Sequence, residues 1–65
     1  MYLKVNGEEE SVNELTLAAY LEARGLLGRR IAVEHNGEIV PKSAYESTTL
    51  HEGDVLEIVH AIGGG

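Results

Sequence analysis

The chain has 65 residues, 43% of them hydrophobic and 25% charged, which is typical of a soluble globular domain and excludes a disordered chain. This length gives room for one small domain and no second one. The absence of cysteine excludes disulfides, thiolate metal sites and a thiol nucleophile. Eleven acidic residues against five basic ones give a net charge of −6. This charge opposes binding to nucleic acid and favours a partner with a basic face, although acidity also serves solubility alone.

The sequence predicts neither a membrane protein nor an enzyme. No apolar run approaches the length of about eighteen residues that crosses a bilayer, and the N-terminus lacks the apolar core of a signal peptide. We therefore expect a cytoplasmic protein with no membrane partner. So short a chain has little material from which to line a deep catalytic pocket, and it shows no acid–base constellation. A carrier or binding module without a bound cofactor is favoured.

The first twelve residues predict a β-hairpin. Residues 2–5 alternate as in a strand, and Asn6 and Gly7 both tolerate the positive φ that a type I′ turn requires. The return arm, residues 8–12, is acidic and mostly polar, which suits a solvated edge strand. We interpret its three glutamates as solvent-facing residues, because no second cluster of ligands accompanies them.

A short helix of about two turns is predicted next. Apolar residues recur at helical spacing around Leu21, with Thr16 as candidate N-cap and Gly25 as candidate left-handed residue after the C-terminus. In that case Leu21 and Leu26 make the hydrophobic contact of a Schellman ending. Residues 11–14 also fit a capping box, so an earlier helix start stays open. The central tyrosine of the helix is expected in the core.

Residues 31–40 predict a second hairpin. Asn36 and Gly37 again supply turn chemistry between two strands, and the second strand stops at Pro41 because proline has no N–H to donate to the ladder. Residues 42–50 show no clean period and predict an irregular crossing with a single turn.

Residues 55–62 include apolar side chains at both odd and even positions, which predicts a strand buried on both faces at the centre of the sheet. Two strands, a helix and three further strands, the last one central, give the β-grasp or ubiquitin-like arrangement. This α+β fold has a mixed sheet of four to five strands with one main helix on one face. We expect the domain to span residues 1–62 and residues 63–65 to form a flexible glycine tail.

Three consecutive glycines, Gly63, Gly64 and Gly65, end the sequence. A frayed tail or a linker is the plainer interpretation. As a functional element, a tail without side chains presents only the carboxylate of Gly65, on a backbone that passes through narrow channels because it has no Cβ. Transfer of AMP from ATP would activate this carboxylate, and a sulfur nucleophile would then leave a thiocarboxylate. The sequence has no phosphate-binding loop, so an activating enzyme has to supply the ATP site.

The segments IAVEHNGEIVP at 31–41 and GDVLEIVHAIGGG at 53–65 resemble the ThiS-type sulfur carriers of thiamine biosynthesis. The resemblance extends over essentially the whole chain. It implies adenylation by a ThiF-type adenylyltransferase, sulfur from a donor such as a cysteine desulfurase relay, and delivery to the thiazole synthase ThiG. It makes Gly65 the modified residue, Gly64 its required neighbour and Gly63 an extension of the arm. It also implies a carrier that is monomeric when free and acts as a co-substrate, not as an enzyme.

Three other functions stay open. The small subunit of molybdopterin synthase shares the fold and the diglycine end, but it is usually longer and rich in phenylalanine, which this chain lacks. A ubiquitin-like modifier, joined through Gly65 to lysines of target proteins, shares the activation chemistry and differs in the final nucleophile. A purely structural β-grasp module is disfavoured by the acidic charge and by the glycine tail.

Few other residues suggest a site. Val59 and Ile62 precede the tail and are candidate apolar anchors for docking of the activating enzyme, or else residues of the core. The histidines, His35, His51 and His60, lack the partners and the spacing of a metal site. We assign them no catalytic role.

Overall fold

The computed structural model describes residues 1–61, which form a five-stranded mixed sheet crossed by one helix. The elements are β1 (Tyr2–Val5), β2 (Glu8–Ser11), α1 (Leu17–Ala23), β3 (Ile31–His35), β4 (Glu38–Val40) and β5 (Val55–His60). The strand order is β2-β1-β5-β3-β4, with β1 and β5 parallel and all other neighbours antiparallel. The predicted β-grasp topology with a central β5 is confirmed. The predicted boundary at residue 62 and the glycine tail lie outside the described residues.

Both predicted Asn-Gly turns are present. The φ angles are 51° and 85° at Asn6 and Gly7, and 51° and 87° at Asn36 and Gly37. Positive φ at both central residues is the signature of the type I′ turn, whose twist matches that of the flanking strands. The two hairpins therefore have the same local construction on either side of β5.

Helix α1 begins and ends as the sequence predicts. At its start, the hydroxyl of Thr16 accepts a hydrogen bond from the N–H of Ala19 at 3.1 Å. At its end, Gly25 has a φ of 72°, and the N–H of Leu26 donates to the carbonyl of Leu21 at 2.8 Å. This last bond is the long-range bond of a Schellman motif, so the predicted ending is confirmed. With seven residues, α1 is too short to cross a membrane, and no other helix of residues 1–61 does so.

The segment before the helix differs from two expectations. Strand β2 ends at Ser11, one residue earlier than predicted, although the N–H of Val12 still donates to the carbonyl of Met1 at 2.7 Å. Because this bond ties residue 12 to the sheet and its side chain is buried, a helix start within residues 11–14 is wrong.

The core fills the space between α1 and one face of the sheet. Its residues come from alternate strand positions, from the inner side of α1 and from the crossing to β5: Leu3, Val5, Val12, Leu17, Tyr20, Leu21, Ile31, Val33, Tyr45, Leu50, Leu56 and Ile58. The crossing contains a single 3₁₀ turn at Lys42–Ala44, as predicted. It is tied to the helix start, because the N–H of Leu17 donates to the carbonyl of Thr48 at 2.9 Å.

Strand β5 is central, but only one of its faces is buried. Leu56 and Ile58 lie in the core, whereas the side chains of Val55 and Val59 are 37% and 59% exposed. The prediction of two buried faces is therefore wrong. The physical reason is that α1 covers one face of the sheet, and no helix or strand of residues 1–61 packs on the other.

Tyr20 joins the helix to the edge strand β2. Its hydroxyl donates to Oε1 of Glu10 at 2.8 Å, and the guanidinium of Arg24 donates to the same oxygen at 3.1 Å and lies 4.5 Å from the centre of the Tyr20 ring. The expectation of a solvated glutamate is therefore wrong for Glu10, whose register places it on the helix side of the sheet beside Leu3. Burial, reinforced by the hydrogen bond with Glu10, raises the pKa of Tyr20 to about 12.

The variant Tyr20→Phe tests this contact. Loss of the hydroxyl is expected to lower the free energy of unfolding at pH 7 by about 1–2 kcal/mol, measured by urea denaturation. A folded-state pKa above the ordinary value of 10.0 also means that ionisation opposes folding. The stability that this tyrosine contributes should therefore be complete below pH 10.0 and disappear as the pH approaches about 12, and the variant should lack this loss. The exposed Tyr2, changed in Tyr2→Phe, is the control. Equal alkaline profiles for the two variants would contradict the assignment.

Candidate functional site

The end of β5 leads directly to the predicted reactive residues. Residues 63–65 and the predicted anchor Ile62 lie outside the described residues. The last described residue, Ala61, donates its N–H to the carbonyl of Arg30 at 2.8 Å. The ladder between β3 and β5 thus continues one residue past His60.

The side chain of Asn6 extends the pairing between β1 and β5. Strand β1 ends at Val5, but Oδ1 of Asn6 accepts the N–H of Ile58 at 2.7 Å, and its Nδ2 donates to the carbonyl of Ile58 at 3.1 Å. The amide therefore satisfies both main-chain groups that a further residue of β1 would have bound. The sequence identified Asn6 for its turn conformation alone, and no local signal indicates a contact 52 residues away.

Asp54 fixes the beginning of β5. Its buried carboxylate lies 2.7 Å from Nε2 of His35 and accepts hydrogen bonds from the amide of Asn36 at 3.1 Å and the main-chain N–H of His51 at 2.9 Å. Oδ1 of Asn36 in turn accepts the N–H of Val55 at 2.9 Å. Burial alone raises the pKa of Asp54, but the three hydrogen bonds outweigh it and hold the pKa of this carboxyl below its ordinary value.

This cluster stabilises the fold and shows no sign of chemistry of its own. None of the hydrogen bonds within residues 1–61 joins a hydroxyl nucleophile to His35, as a catalytic triad requires. The same residues contain no group of three or more potential ligands placed to hold a metal ion. Local sequence patterns do not reveal the cluster, because its members come from two separate segments of the chain, residues 35–36 and 51–55.

The face of the sheet opposite α1, here called the open face, carries Val59 next to Ala32, its direct partner across β3 and β5. The next pair on this face, two residues further along both strands, is Glu34 directly opposite Glu57. Like charges in this position destabilise a sheet, so the pair costs stability in the free protein. On the outer side of Glu34 stands Ile39, which is 73% exposed. The open face therefore combines apolar and charged groups, among them Lys4 opposite Val55, and it places Val59 at the surface and not in the core.

Two shallow clefts occur within residues 1–61, and neither touches the end of β5. One, of about 280 Å³, lies between Leu27 and the turn that contains Lys42. The other, of about 260 Å³, lies between Tyr2 and Glu52. The features that converge at the end of β5 are a main-chain ladder, the side chain of Asn6 and the open face.

The sequence and the fold both match known proteins. The sequence model of the ThiS family matches residues 3–65. This chain belongs to the ThiS family. The crystal structure of the thiamine biosynthesis protein ThiS from Geobacter metallireducens has a TM-score of 0.85 and 33% identity, over 100% of both chains. The sulfur carrier protein ThiS of Bacillus subtilis is 35% identical over 97% of this chain and 98% of its own length. The family resemblance predicted from the sequence is confirmed.

A thiazole synthase also contains a related segment. The enzyme from Paramagnetospirillum magneticum is 48% identical over 66 residues, and the match covers 100% of this chain but 20% of the enzyme. The thiazole synthase of Magnetococcus marinus is 36% identical with the same two coverages. This ThiS family chain therefore spans about one fifth of the length of these two relatives.

The variant Asp54→Asn tests the cluster at the start of β5. Loss of the charge-assisted bonds is expected to lower the free energy of unfolding at pH 7 by about 1–3 kcal/mol. A carboxyl group with a lowered folded pKa contributes stability above its unfolded pKa, near 3.8, and loses it as the pH falls through the folded value. The deficit of the variant should therefore shrink below that pH.

Denaturant unfolding across the acid range measures this deficit. Glu57→Gln is the matched control, because it also removes one carboxylate but relieves the repulsion with Glu34, and it should not destabilise the protein. A deficit for Asp54→Asn that is the same at every pH would contradict the role of the charge.

Proposed function

We propose that this protein is a sulfur carrier for the synthesis of the thiamine thiazole, and that the carboxylate of Gly65 is its reactive group. The observation that carries the proposal is membership of the ThiS family over residues 3–65, a match that includes the glycines at 63–65. A second support is the position of these glycines in the sequence, separated by two residues from the end of the central strand β5.

The chemistry uses the main chain and not a side chain. A ThiF-type adenylyltransferase transfers AMP from ATP to a carboxylate oxygen of Gly65 and releases pyrophosphate. A persulfide on a donor such as a cysteine desulfurase relay then attacks the acyl carbon and displaces AMP. A thiol next attacks the donor's sulfur in the resulting acyl disulfide, so that the donor leaves as a mixed disulfide and the second sulfur stays on Gly65. The product is a thiocarboxylate, whose sulfur passes to the thiazole under the action of ThiG. ATP is a substrate of the activating enzyme and needs no site on the carrier.

The folded domain provides the surface to which these enzymes bind. On the open face, Val59 is an exposed apolar residue close to the tail, and the paired carboxylates of Glu34 and Glu57 lie on the same face. Burial of an exposed apolar residue contributes affinity, and a basic surface on the partner relieves the repulsion within the pair and speeds association. The thiazole synthases with a segment like this chain support ThiG as the acceptor.

The proposal is tested by AMP transfer from ATP to the protein in the presence of the adenylyltransferase. The natural protein should accept AMP, and a variant that lacks Gly64 and Gly65 should not. In that variant the terminal carboxylate belongs to Gly63, and the shortened tail no longer carries it to the ATP site of the enzyme. A variant with one alanine added after Gly65 is the matched control for tail length, and it should also be inactive. Thermal unfolding of all three should agree, because the core lies within residues 1–61.

The intact mass of the protein isolated from its native host provides the second measurement. Replacement of one oxygen by one sulfur at Gly65 is the expected modification. Undiminished AMP transfer to the shortened variant would refute the proposal. Transfer of Gly65 to lysines of other proteins, with no sulfur, would assign the chain to the ubiquitin-like modifiers instead.

Docking through Val59 is tested separately by the variant Val59→Gln. This change places a polar group where the partner is expected to contact an apolar one, so KM for AMP transfer should rise by about tenfold with little change in kcat. Ile39→Gln is the matched control, because Ile39 is also exposed and on the open face, but on the edge strand away from the end of β5. Equal KM values for the two variants would argue against a docking role for Val59.

A further inference from the structure

The ladder between β3 and β5 shows which main-chain groups of β5 remain free. The N–H of Asn36 donates to the carbonyl of Val55, and the N–H of Ala61 donates to the carbonyl of Arg30. Because hydrogen-bonded pairs alternate along an antiparallel ladder, the odd-numbered residues of β5 bond to β3. The even-numbered residues, among them His60, direct their N–H and carbonyl to the opposite side, where β1 lies.

On that side the partner strand stops too early to reach His60. The N–H of Asn6 donates to the carbonyl of Leu56 at 2.9 Å, and its side chain binds both main-chain groups of Ile58. The chain then turns away at Gly7, where an added Cβ would meet no described atom within 4 Å. Within residues 1–61, therefore, no strand pairs with the outer edge of His60, which is exposed.

We infer that this short free edge of β5 at His60, next to the Asn6-Gly7 turn, is a docking site for an extended segment of the activating enzyme, which adds to the sheet by main-chain hydrogen bonds. The inference rests on the proposed function and specifies how that partner holds the carrier. A free strand edge recruits an extended peptide in this way without a need for particular side chains.

The nature of the occupant follows from where the edge lies. Gly65 lies five positions after His60, and residues 63–65 have no side chains, so an enzyme can recognise these three residues through their main chain alone. Main-chain groups on one edge of an extended chain recur at every second residue. A segment of the enzyme that pairs with His60 therefore binds the chain within five positions of Gly65.

The edge of β2 provides a matched control within the same protein. The N–H of Val12 donates to the carbonyl of Met1, so the alternation along the β1–β2 ladder leaves the N–H of Glu9 directed away from the sheet. Glu9 and His60 thus each carry an outward-facing strand N–H. They differ in that Glu9 lies on the outer strand of the sheet, with β1 between it and β5.

Chemical synthesis of the 65-residue chain allows three proteins to be compared: the unmodified chain, a chain with N-methyl-His60 and a chain with N-methyl-Glu9. Each methyl group blocks one free edge and removes no hydrogen bond within the sheet. N-methylation at His60 is expected to raise KM for AMP transfer by about tenfold, whereas N-methylation at Glu9 should change it by less than about twofold. His60→Gln, which alters the side chain and keeps the main chain, should behave like the N-methyl-Glu9 chain.

Circular dichroism and thermal unfolding establish that each synthetic chain is folded. An ester in place of the amide of His60, which removes the N–H without added bulk, should also raise KM and provides a second variant if the methyl group disturbs the fold. An unchanged KM for both His60 analogues would overturn the inference and leave the proposed function intact.

Two other outcomes have different meanings. Failure of the unmodified chain to accept AMP would instead refute the proposed function. A dimer of the unmodified chain that dissociates on N-methylation of His60 would show that a second copy occupies the edge, and would also overturn the inference.

Discussion

The structure depends on the attachment of β5 at both of its ends. At the start, the buried carboxylate of Asp54 binds His35, Asn36 and the main chain of His51. At the other end, the side chain of Asn6 binds both main-chain groups of Ile58. Asn6 and Asn36 occupy equivalent positions in two type I′ turns, and each uses its amide to hold the same central strand. The two hairpins are thereby joined into one sheet.

Under the proposed function, the body that must be rigid and the carboxylate that reacts are separate parts of the molecule. A family member that hands a main-chain carboxylate to several enzymes needs a body with a fixed shape, because docking onto a flexible body would cost conformational entropy at every encounter. The clamped strand, the helix and the core meet that need within 61 residues. The proposal assigns the reactive chemistry to Gly65, outside the residues that form the described core.

The sequence predicted those elements whose signals are local. The Asn-Gly turns, the Thr16 cap and the glycine ending of α1 depend on residues within a few positions of one another, and all of them are present. The contacts of Asn6 with Ile58 and of Asp54 with His35 join residues 52 and 19 positions apart. The spacing of apolar residues along the chain does not predict contacts between such distant residues. They form only when the topology brings the segments together.

The errors in the prediction also have physical reasons. The alternation rule predicts burial from apolar character alone, so it could not distinguish Val59, exposed on the open face, from the core residues Leu56 and Ile58. The charge run of β2 likewise suggested full solvation, whereas Glu10 faces Tyr20 on the helix side. The glycines at 63–65 were identified from the sequence and lie within the family match, and their role stays a prediction. The surfaces that surround the end of β5 could not be predicted from local patterns.

The parallel pairing of β1 with β5 has a consequence for the order of events during synthesis. Because the second strand neighbour of β1 lies some fifty residues downstream, the sheet closes only after β5 has left the ribosome, and contacts so distant along the chain form slowly. A nascent chain that ends before β5 lacks the central strand and cannot form the folded domain. Under the proposed function, a partner that binds the folded body would therefore not bind a chain truncated before β5.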